Sequence, residues 1–410
     1  MKCRHCENGS FIPFADLQNS PASNSMLSRG DLSAPETFYP LVVQTCDSCF
    51  LAQIGEHKKA SDIFDADYTY FSSYSSSWLA HSELFAKAAI KRFELGSQSK
   101  VVEIASNDGY LLQYFVRAGV PVLGVEPTGN TAAVAESKGI PTIVDFFGKE
   151  FARNELVEKG HRADLIVGNN VFAHVPDIND FTAGLKTALS PRGVISLEFP
   201  HLLCLIEENQ FDTIYHEHFS YLSLAVTQSI FERQGLAIFD VERLTTHGGS
   251  LRVFGAHAED STKVRSASVD AVLAEEQQAG LSDRVIYEAF QPRIDQVRAD
   301  FLRFLLDQRK AGKKVAAYGA AAKGNTLLNY CGVKGDELIA FVCDLSPHKQ
   351  GRFLPGSHLP VLSPDALDEY KPDFIIIFPW NLKTEIMEQL SHVRQWGAKF
   401  VVAVPELTVS

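Results

Sequence analysis

One strand–turn–helix unit constrains the fold of this 410-residue chain more than any other stretch. The β-branched run Val101–Ile104 predicts a buried parallel strand. It leads into a polar turn at residues 106–109, which tolerate unusual backbone angles, and then into a helix that should end near Gly119. The next strand ends in Glu126, about 20 residues beyond the turn, where a carboxylate suits a ribose diol. The unit therefore predicts a doubly wound sheet that binds a ligand at the carboxyl ends of its strands.

The composition of this turn discriminates between cofactors. A dinucleotide loop carries G-x-G-x-x-G so that the backbone can approach a pyrophosphate, whereas residues 105–109 hold one glycine among polar side chains. That composition suits a ligand with no phosphates and a charged amino-acid tail, such as S-adenosylmethionine. The alternative is an ordinary strand–loop–helix unit that binds nothing. We predict that the cofactor is bound by residues of this unit and of a later strand end: Glu103, Ala105, Ser106, Asn107, Gly109, Glu126, Asn169 and Asn170.

Composition and charge exclude several classes of protein. The 45% hydrophobic content is ample for packed cores, and the length predicts two or three domains. A net charge of −12 argues against a nucleic-acid surface, which needs a basic stripe. The longest apolar runs are strand-sized, and residues 1–6 lack the apolar segment of a signal peptide. With seven cysteines, an odd number, we expect reduced thiols in a cytoplasmic monomer with no membrane partner.

Two C-x-x-C turns lie near the amino terminus. Cys3 with Cys6 and Cys46 with Cys49 each supply two thiolates from one turn, and two such turns can close a tetrahedron around zinc. Residues 1–54 have too few apolar side chains to form a core alone, so a metal would stabilise them. The alternative is four unrelated free cysteines. We predict a structural zinc site, and we expect His5 to be exposed rather than a ligand.

An aromatic, hydroxyl-rich loop at residues 68–75 separates this module from the central unit. It precedes a predicted helix from Trp78 to about Leu95, with Ser77 as its N-cap. The loop is either packed between domains or lies over an active site with its tyrosine hydroxyls facing the substrate. Composition alone does not discriminate between these two interpretations.

Two later segments carry candidate acid–base groups. A strand that ends in Asn169 and Asn170 is followed by His174, which should lie on the same rim as the polar turn at residues 106–109. Further on, residues 215–218 read Tyr-His-Glu-His in an otherwise apolar region, where ionisable groups are costly to bury without a purpose. Three interpretations compete: a metal site through His216 and His218, a hydrogen-bonded structural cluster, and a general acid/base group. We favour the third, which needs an irregular backbone because a regular strand would separate Tyr215 and Glu217 from His218.

A second strand–turn–helix unit begins at Lys314 and fits G-x-A-x-x-G, close to the dinucleotide fingerprint. Its literal interpretation is an NAD site, with Asp344 at the end of the next strand, which we expect over residues 337–343. Side-chain donors in the turn instead suit a phosphate-bearing ligand at a helix N-terminus. We predict that such a ligand is bound by Tyr318, Lys323, Asn325, Lys349 and Arg352.

The assembled chain resembles the sugar 3-C-methyltransferases of deoxysugar biosynthesis, over essentially its whole length. The resemblance rests on the paired C-x-x-C turns and on Tyr-x-Tyr-Phe-Ser-Ser, Glu-Ile-Ala-Ser-Asn-Asp-Gly, Asn-Asn-Val-Phe-Ala-His, Tyr-His-Glu-His, His-Gly-Gly-Ser-Leu-Arg and Gly-Ala-x-Ala-Lys-Gly-Asn. It implies an α/β chain of three parts. These are a zinc-binding domain at residues 1–70, a class I S-adenosylmethionine Rossmann-like domain at 71–238, and a second Rossmann-like domain at 239–410 that helps to bind a nucleotide sugar.

The resemblance also implies the chemistry. The substrate is a nucleotide-linked 4-keto-deoxysugar, most commonly a dTDP sugar, which is methylated at carbon 3 through an enolate. The reactive residues would be His174, Tyr215, Glu217, His218 and a loop tyrosine, Tyr70, with Tyr68 as its alternative. We expect His218 or Tyr215 to remove the proton, Glu217 to orient the imidazole and His174 to stabilise the enolate oxygen.

Three other functions remain open from the sequence. A small-molecule O- or N-methyltransferase would need no enolate chemistry. An NAD-linked oxidoreductase would use the C-terminal unit. A non-catalytic zinc-ribbon interaction protein would bind no S-adenosylmethionine.

Overall fold

The computed structural model describes residues 1–64, 68 and 70–410, which form an α/β fold with three sheets. The N-terminal part contains three strands and a short helix: β1 (Phe11–Ser20), β2 (Tyr39–Cys46), β3 (Ala52–Ile54) and α1 (Ala60–Ile63). Its sheet is antiparallel in the order β1-β2-β3 and gains a fourth strand from the central domain. The N-terminal module is therefore joined to the central domain by strand pairing.

The central domain begins with a long helix and alternates strands with helices. Its first half comprises α2 (Ser76–Arg92), β4 (Val101–Ile104), α3 (Leu112–Arg117), β5 (Val122–Val125), α4 (Gly129–Ser137), β6 (Thr142–Ile143) and α5 (Lys149–Phe151), with a turn of π-helix at Ala152–Val157. Its second half comprises β7 (Ala163–Asn169), α6 (Ile178–Ala188), β8 (Leu189–Pro200), α7 (Leu202–Glu207), β9 (Ser220–Tyr221), α8 (Leu224–Arg233), β10 (Leu236–Leu244) and β11 (Ser250–His257). β9 is the strand that joins the N-terminal sheet, where it pairs antiparallel with β3.

The central sheet has seven strands in the order β10-β11-β8-β7-β4-β5-β6. The strands from β8 through β6 are parallel, and β11 runs antiparallel to both of its neighbours. From β4 the chain adds β5 and β6 on one side of the sheet and then crosses to add β7 and β8 on the other side. The strand order therefore reverses between β4 and β7. Ligands of open α/β sheets bind at such a switch point. The predicted boundary at residue 238 falls inside β10, because β10 and β11 complete this sheet.

The C-terminal part begins with three helices: α9 (Ala267–Gln278), α10 (Arg284–Glu288) and α11 (Phe290–Lys310). A second Rossmann-like unit follows, with β12 (Val315–Tyr318), α12 (Ala322–Cys331), β13 (Val342–Cys343), β14 (Val361–Leu362), α13 (Ala366–Tyr370), β15 (Phe374–Ile377), α14 (Lys383–Gln389), β16 (Lys399–Val402) and β17 (Thr408–Val409). Its sheet order is β14-β13-β12-β15-β16-β17, with only β17 antiparallel. The predicted α/β class with two doubly wound units is confirmed.

Two local predictions need correction. The N-cap of α2 is Ser75 rather than Ser77, because the Ser75 hydroxyl accepts the backbone N–H of Trp78 at 3.2 Å. The strand expected over residues 337–343 is only Val342–Cys343, because β13 pairs through just two residues with each neighbour. Among the residues that the structure describes, no helix is long and apolar enough to span a bilayer.

Candidate active site

The four cysteines of the two C-x-x-C turns converge at the edge of the N-terminal sheet. Their sulfur atoms all lie within 4.8 Å of one another, with 3.5 Å between Cys3 and Cys49 and between Cys6 and Cys46. A tetrahedral zinc ion with Zn–S bonds of about 2.3 Å requires sulfurs roughly 3.8 Å apart, so the geometry fits the metal. Four cysteines leave no open coordination position, and the site is therefore structural rather than catalytic.

The structure corrects the expectation for His5. This side chain is buried, with Nδ1 beside the Asn179 side chain of α6 at 3.1 Å and Nε2 beside the Ser229 hydroxyl of α8 at 3.0 Å. The N-terminal turn packs onto the central domain there, and both ring nitrogens have partners. His5 is neither exposed nor a zinc ligand.

A cavity of about 580 Å³ lies among the rim of the central sheet, the C-terminal unit and a loop of the N-terminal module. Most predicted site residues line it: Tyr68, Tyr70, Ala105, Asn107, Glu126, Asn169, Asn170, His174, Tyr215, Glu217, His218, Lys323 and Lys349. The other predicted residues lie outside this lining: Glu103, Ser106, Gly109, Tyr318, Asn325 and Arg352. The cavity thus brings together residues from the edges of the central and C-terminal sheets and from the predicted acid–base segment.

The loop after β4, which we predict to bind the cofactor, is fixed by the acid at the end of β5. Glu126 Oε2 accepts the backbone N–H of Asn107 at 2.8 Å and retains a lone pair for a hydroxyl of a ligand, whereas Oε1 accepts both the backbone N–H of Thr128 at 2.9 Å and its hydroxyl at 2.5 Å. Ala105 and Asn107 both have left-handed backbone angles, with φ of 56° and 48°. Such angles are uncommon for residues with a β-carbon, and they turn the loop across the sheet edge.

The predicted loop residues outside the cavity lining support the turn from behind. Glu103 lies within β4, fully buried, and burial raises the pKa of its carboxyl well above the usual range. Ser106 packs on β5, where a β-carbon at Gly124 would lie 2.5 Å from its hydroxyl. Gly109 has φ of +75°, and a β-carbon there would lie 2.4 Å from Ile140. A side chain at Gly109 or Gly124 would therefore displace the cofactor loop.

The aromatic loop reaches this cavity. The Asn107 side chain accepts the backbone N–H of Ser72 at 2.9 Å and donates to the carbonyl of Tyr70 at 3.1 Å, so the loop is bonded to the cofactor turn. The carbonyl of Tyr68 accepts from the Asn130 side chain at 2.8 Å. Thr69, within the predicted motif, lies outside the described residues. Of the two interpretations left open for this loop, its position in the cavity favours the active-site one.

The Tyr-His-Glu-His segment forms a tight turn rather than a strand, as the acid–base interpretation requires. The backbone N–H of His218 donates to the carbonyl of Tyr215 at 2.9 Å, and the two rings lie 4.0 Å apart between centroids. His218 Nδ1 donates to the carbonyl of Thr213 at 2.8 Å. Burial lowers the pKa of His218 well below its usual range, so the ring is neutral and Nε2 carries the lone pair.

Glu217 does not contact the His218 ring, contrary to our expectation that it orients the imidazole. Its Oε1 accepts from the side chain of Asn24 at 2.6 Å, and the Thr213 carbonyl orients His218 instead. Burial raises the pKa of Glu217 to about 7, and the Asn24 hydrogen bond opposes that shift.

His216 lies on the other side of the turn. Its Nε2 contacts the carbonyl of Pro40 at 3.3 Å, and its ring packs on Tyr39. It therefore cannot share a metal with His218. Across the described residues, the four-cysteine group is the only cluster with metal-ligand geometry.

Two further histidines face the cavity. His174 follows β7, and its ring lies 4.6 Å from that of His218 between centroids. His247, in the Gly-rich turn before β11, contacts the Asn170 side chain through Nε2 at 2.7 Å. Burial lowers the pKa of both to about 4, so both are neutral hydrogen-bonding groups at physiological pH.

The C-terminal unit contributes cations to the opposite wall. Lys323 at the start of α12 donates to the Asn381 side chain at 2.9 Å and lies over the Trp380 ring. Burial lowers its pKa to about 8, while Asp212 opposes the shift. Lys349 donates to the carbonyl of Ala320 at 2.8 Å, beside the start of α12. These two ammonium groups suit an anionic ligand.

The remaining predicted substrate residues lie further from the cavity. Tyr318 is buried at the end of β12, and Arg352 is exposed on the surface. Asn325 is fully buried in α12, with neither side-chain amide atom bonded within the described part of the chain. Of the five predicted substrate-binding residues, Lys323 and Lys349 therefore line the cavity, and the other three do not.

Several residues of the cavity were not predicted. They are Asn24, Phe64, Trp78, His247, Asn381 and, behind Lys323, Asp212 with Trp380. The turn His247-Gly-Gly offered a signal, since glycines beside a polar residue often shape a site. Asn24 offered none, because it lies in a polar loop that contacts Glu217 only through the tertiary fold.

Three family models match successive parts of the chain. Residues 3–64 match a "Putative zinc binding domain", residues 78–241 a methyltransferase domain, and residues 245–405 a C-methyltransferase C-terminal domain. The predicted order of zinc module, S-adenosylmethionine domain and C-terminal domain is confirmed.

The curated relatives agree. C-methyltransferase NovU of Streptomyces niveus is 36% identical over 405 residues, which cover 99% of this chain and 96% of the relative. A ubiquinone biosynthesis O-methyltransferase of Bartonella bacilliformis is 25% identical over 96 residues, which cover 23% of this chain and 39% of the relative. Among solved structures, magnesium protoporphyrin IX methyltransferase of Synechocystis with bound SAH aligns over 44% of this chain and 83% of that chain, with 13% identity and a TM-score of 0.35.

The four-cysteine cluster agrees with the match to the zinc-binding model, and the three family models together with the NovU alignment span almost the whole chain. The chain therefore belongs to the family of S-adenosylmethionine-dependent C-methyltransferases that carry an N-terminal zinc-binding domain.

Proposed function

We propose that this enzyme methylates carbon 3 of a nucleotide-linked 4-keto-deoxysugar, with a dTDP sugar as its substrate. The observation that carries the proposal is the position of His218 Nε2, an unprotonated nitrogen in a cavity that also contains the cofactor loop and two lysines. A C-methyltransferase must generate a carbon nucleophile, and a hydrogen beside a ketone is acidic enough for a positioned base to remove. The buried neutral imidazole suits that step.

The cofactor would be bound by the loop at residues 105–109 and by Glu126, and the residues present fit it. Glu126 Oε2 retains a lone pair for a ribose hydroxyl, and Asn169, at the end of β7, has a side chain with no partner among the described residues. When bound, the sulfonium supplies an activated methyl group. Phe146 and Phe147 also line the cavity and offer apolar surface to the adenine ring of the cofactor.

Each residue of the site then has a separate role in the reaction. His218 Nε2 takes the proton from carbon 3 while the Thr213 carbonyl keeps Nδ1 protonated and stabilises the imidazolium that forms. Tyr215 is a hydroxyl donor, because burial raises its pKa well above the usual range and keeps it protonated. The neutral ring of His174 donates to the developing enolate oxygen. Lys323 and Lys349 bind the diphosphate, at the end of the cavity formed by the C-terminal unit.

The test is a panel of 4-keto nucleotide sugars with methyl-labelled S-adenosylmethionine. Each sugar is deuterated either at carbon 3 or at carbon 5, since the ketone acidifies both neighbouring carbons. We expect label transfer with loss of deuterium from carbon 3 alone. Loss from carbon 5 would refute the regiochemistry, and transfer of the methyl group without deuterium loss would indicate an O- or N-methyltransferase.

A second experiment concerns the C-terminal unit. If that unit binds the nucleotide of the sugar, dTDP competes with the substrate and NAD does not. Nicotinamide reduction, or competition by NAD at micromolar concentration, would favour an oxidoreductase instead.

A further inference from the structure

The carboxylate of Glu217 is held by the N-terminal module and not by the turn to which it belongs. Asn24 Nδ2 donates to Oε1 at 2.6 Å, and both side chains line the cavity. Glu217 is 3% exposed, and within the described part of the chain no other side chain is hydrogen-bonded to it. One oxygen is therefore occupied, and the other is available to a ligand in the cavity.

The segment that carries Asn24 is bound to the C-terminal unit at two points beyond Asn24. It leaves β1 and makes an isolated antiparallel bridge from Leu27 to Phe353, with main-chain bonds of 2.9 and 2.8 Å. Further along, the Glu36 side chain accepts the backbone N–H of Gly356 at 2.8 Å and pairs with His358 at 3.0 Å. These contacts hold the loop against the C-terminal unit, so the position of Asn24 is defined by three domains.

We propose that Asn24 is a positioning residue for the reaction, which fixes one oxygen of Glu217 and presents the other, as a carboxylate, to the substituent on the carbon that is methylated. This inference rests on the proposed function in so far as it assigns Glu217 to the substrate. It gives the zinc-binding domain a direct part in the active site, through a residue outside both C-x-x-C turns.

The electrostatic surroundings support this role. Burial raises the pKa of Glu217 to about 7, and the hydrogen bond from Asn24 is the largest effect that lowers it. The titratable groups that face Glu217 from the surrounding elements are Lys58, Lys349, Tyr68, Tyr215, His174 and His218. Burial keeps the tyrosines and histidines neutral, and Lys349 is already bonded to the Ala320 carbonyl. Among the described residues, Asn24 alone donates directly to the carboxylate.

The test compares Asn24→Ala and Asn24→Asp with the wild-type enzyme over pH 5.5 to 9.5, with Ser25→Ala as the control on the same turn. Loss of a charge-assisted donor should move the acid limb of kcat/KM upward by about one to two pH units. Asn24→Asp should shift it at least as far, since it adds a like charge. Ser25 is exposed, and its variant should match the wild type. A uniform loss at every pH with no shift would mean a merely structural role and would overturn the proposal.

A titration independent of turnover separates this inference from the proposed function. In protein labelled with ¹³C at the glutamate carboxyl, the Glu217 resonance is identified by its absence in Glu217→Gln. We expect it to titrate near pH 7 in the wild type and higher in Asn24→Ala. An unchanged titration overturns the positioning role. A shifted titration in an enzyme that turns over no 4-keto sugar supports that role and refutes the proposed function.

Discussion

Replacement of His218 by asparagine should abolish most of the turnover while leaving cofactor binding intact. The Asn amide nitrogen lies close to where the imidazole Nδ1 was, so the bond to the Thr213 carbonyl can be retained, whereas nothing replaces Nε2. A positioned general base contributes typically 10²–10⁴-fold, which corresponds to about 2.7–5.4 kcal/mol in the activation free energy. We therefore expect kcat to fall by two to four orders of magnitude.

The chain offers a matched control two residues away. His216 is buried to a similar extent, but its Nε2 contacts the carbonyl of Pro40 on the far side of the turn. His216→Asn should lower the free energy of unfolding by about 1 kcal/mol through that hydrogen bond and leave kcat within a few-fold of the wild type. The pair of variants thus separates loss of the base from damage to the turn.

The assay has two arms. Single-turnover transfer of labelled methyl reports the chemical step, and calorimetric titration with S-adenosylmethionine reports cofactor affinity. Wild-type transfer by His218→Asn would refute the assignment of the base and shift it to Tyr215. Equal losses in both histidine variants would show that the turn, rather than Nε2, carries the effect.

Three further predictions follow from the same geometry. In the wild type, kcat/KM should rise as pH increases through about 7, because the raised pKa of Glu217 delays ionisation of its carboxyl group. In Glu217→Gln this acid limb of the pH profile should disappear. Lys323→Met should raise Kd for the nucleotide sugar at least tenfold without altering cofactor affinity. Wild-type binding should weaken above about pH 8 as the lysine deprotonates, and calorimetric titration measures both effects. Cys46→Ser should bind no zinc, as measured by elemental analysis, and its Tm should fall by roughly 10 °C. The loss of metal costs several kcal/mol, and each kcal/mol lowers Tm by about 2–4 °C in a domain of this size. Retained metal at the wild-type Tm would contradict the four-thiolate site.

Local patterns predicted the parts of the molecule that local patterns determine. The strand, polar turn and helix around β4 follow from residues adjacent in sequence, as does the acid at the end of β5. The two C-x-x-C turns needed only their spacing. The irregular turn at Tyr215 followed from the need to bring alternate side chains together. In each case the physical cause lies within a few residues of the signal.

The errors at the zinc module and the candidate site share the opposite cause. Asn24 meets Glu217 across 193 positions of sequence, and nothing in its neighbourhood distinguishes it from other polar loop residues. The group that orients His218 is the backbone carbonyl of Thr213, and every residue type has such a carbonyl, so the sequence gives no signal for it. His5 was expected to be exposed, because its partners come from helices far along the chain. Long-range packing determines these contacts, and one sequence does not reveal it.

Long-range contacts also connect the zinc site to the segment that contains His218. Gln53 in β3 donates from its side chain to the sulfur of Cys3 at 3.3 Å, and its backbone pairs with Ser220 in β9, two residues after His218. The backbone N–H of Ile54 donates to the carbonyl of Phe219 at 3.1 Å. Strands as short as β3 and β9 are not stable alone, so we expect a metal that orders the cysteine turns also to fix the strand that follows the proposed catalytic turn at residues 215–218. In this way a structural zinc ion would help to determine the position of His218, the proposed base.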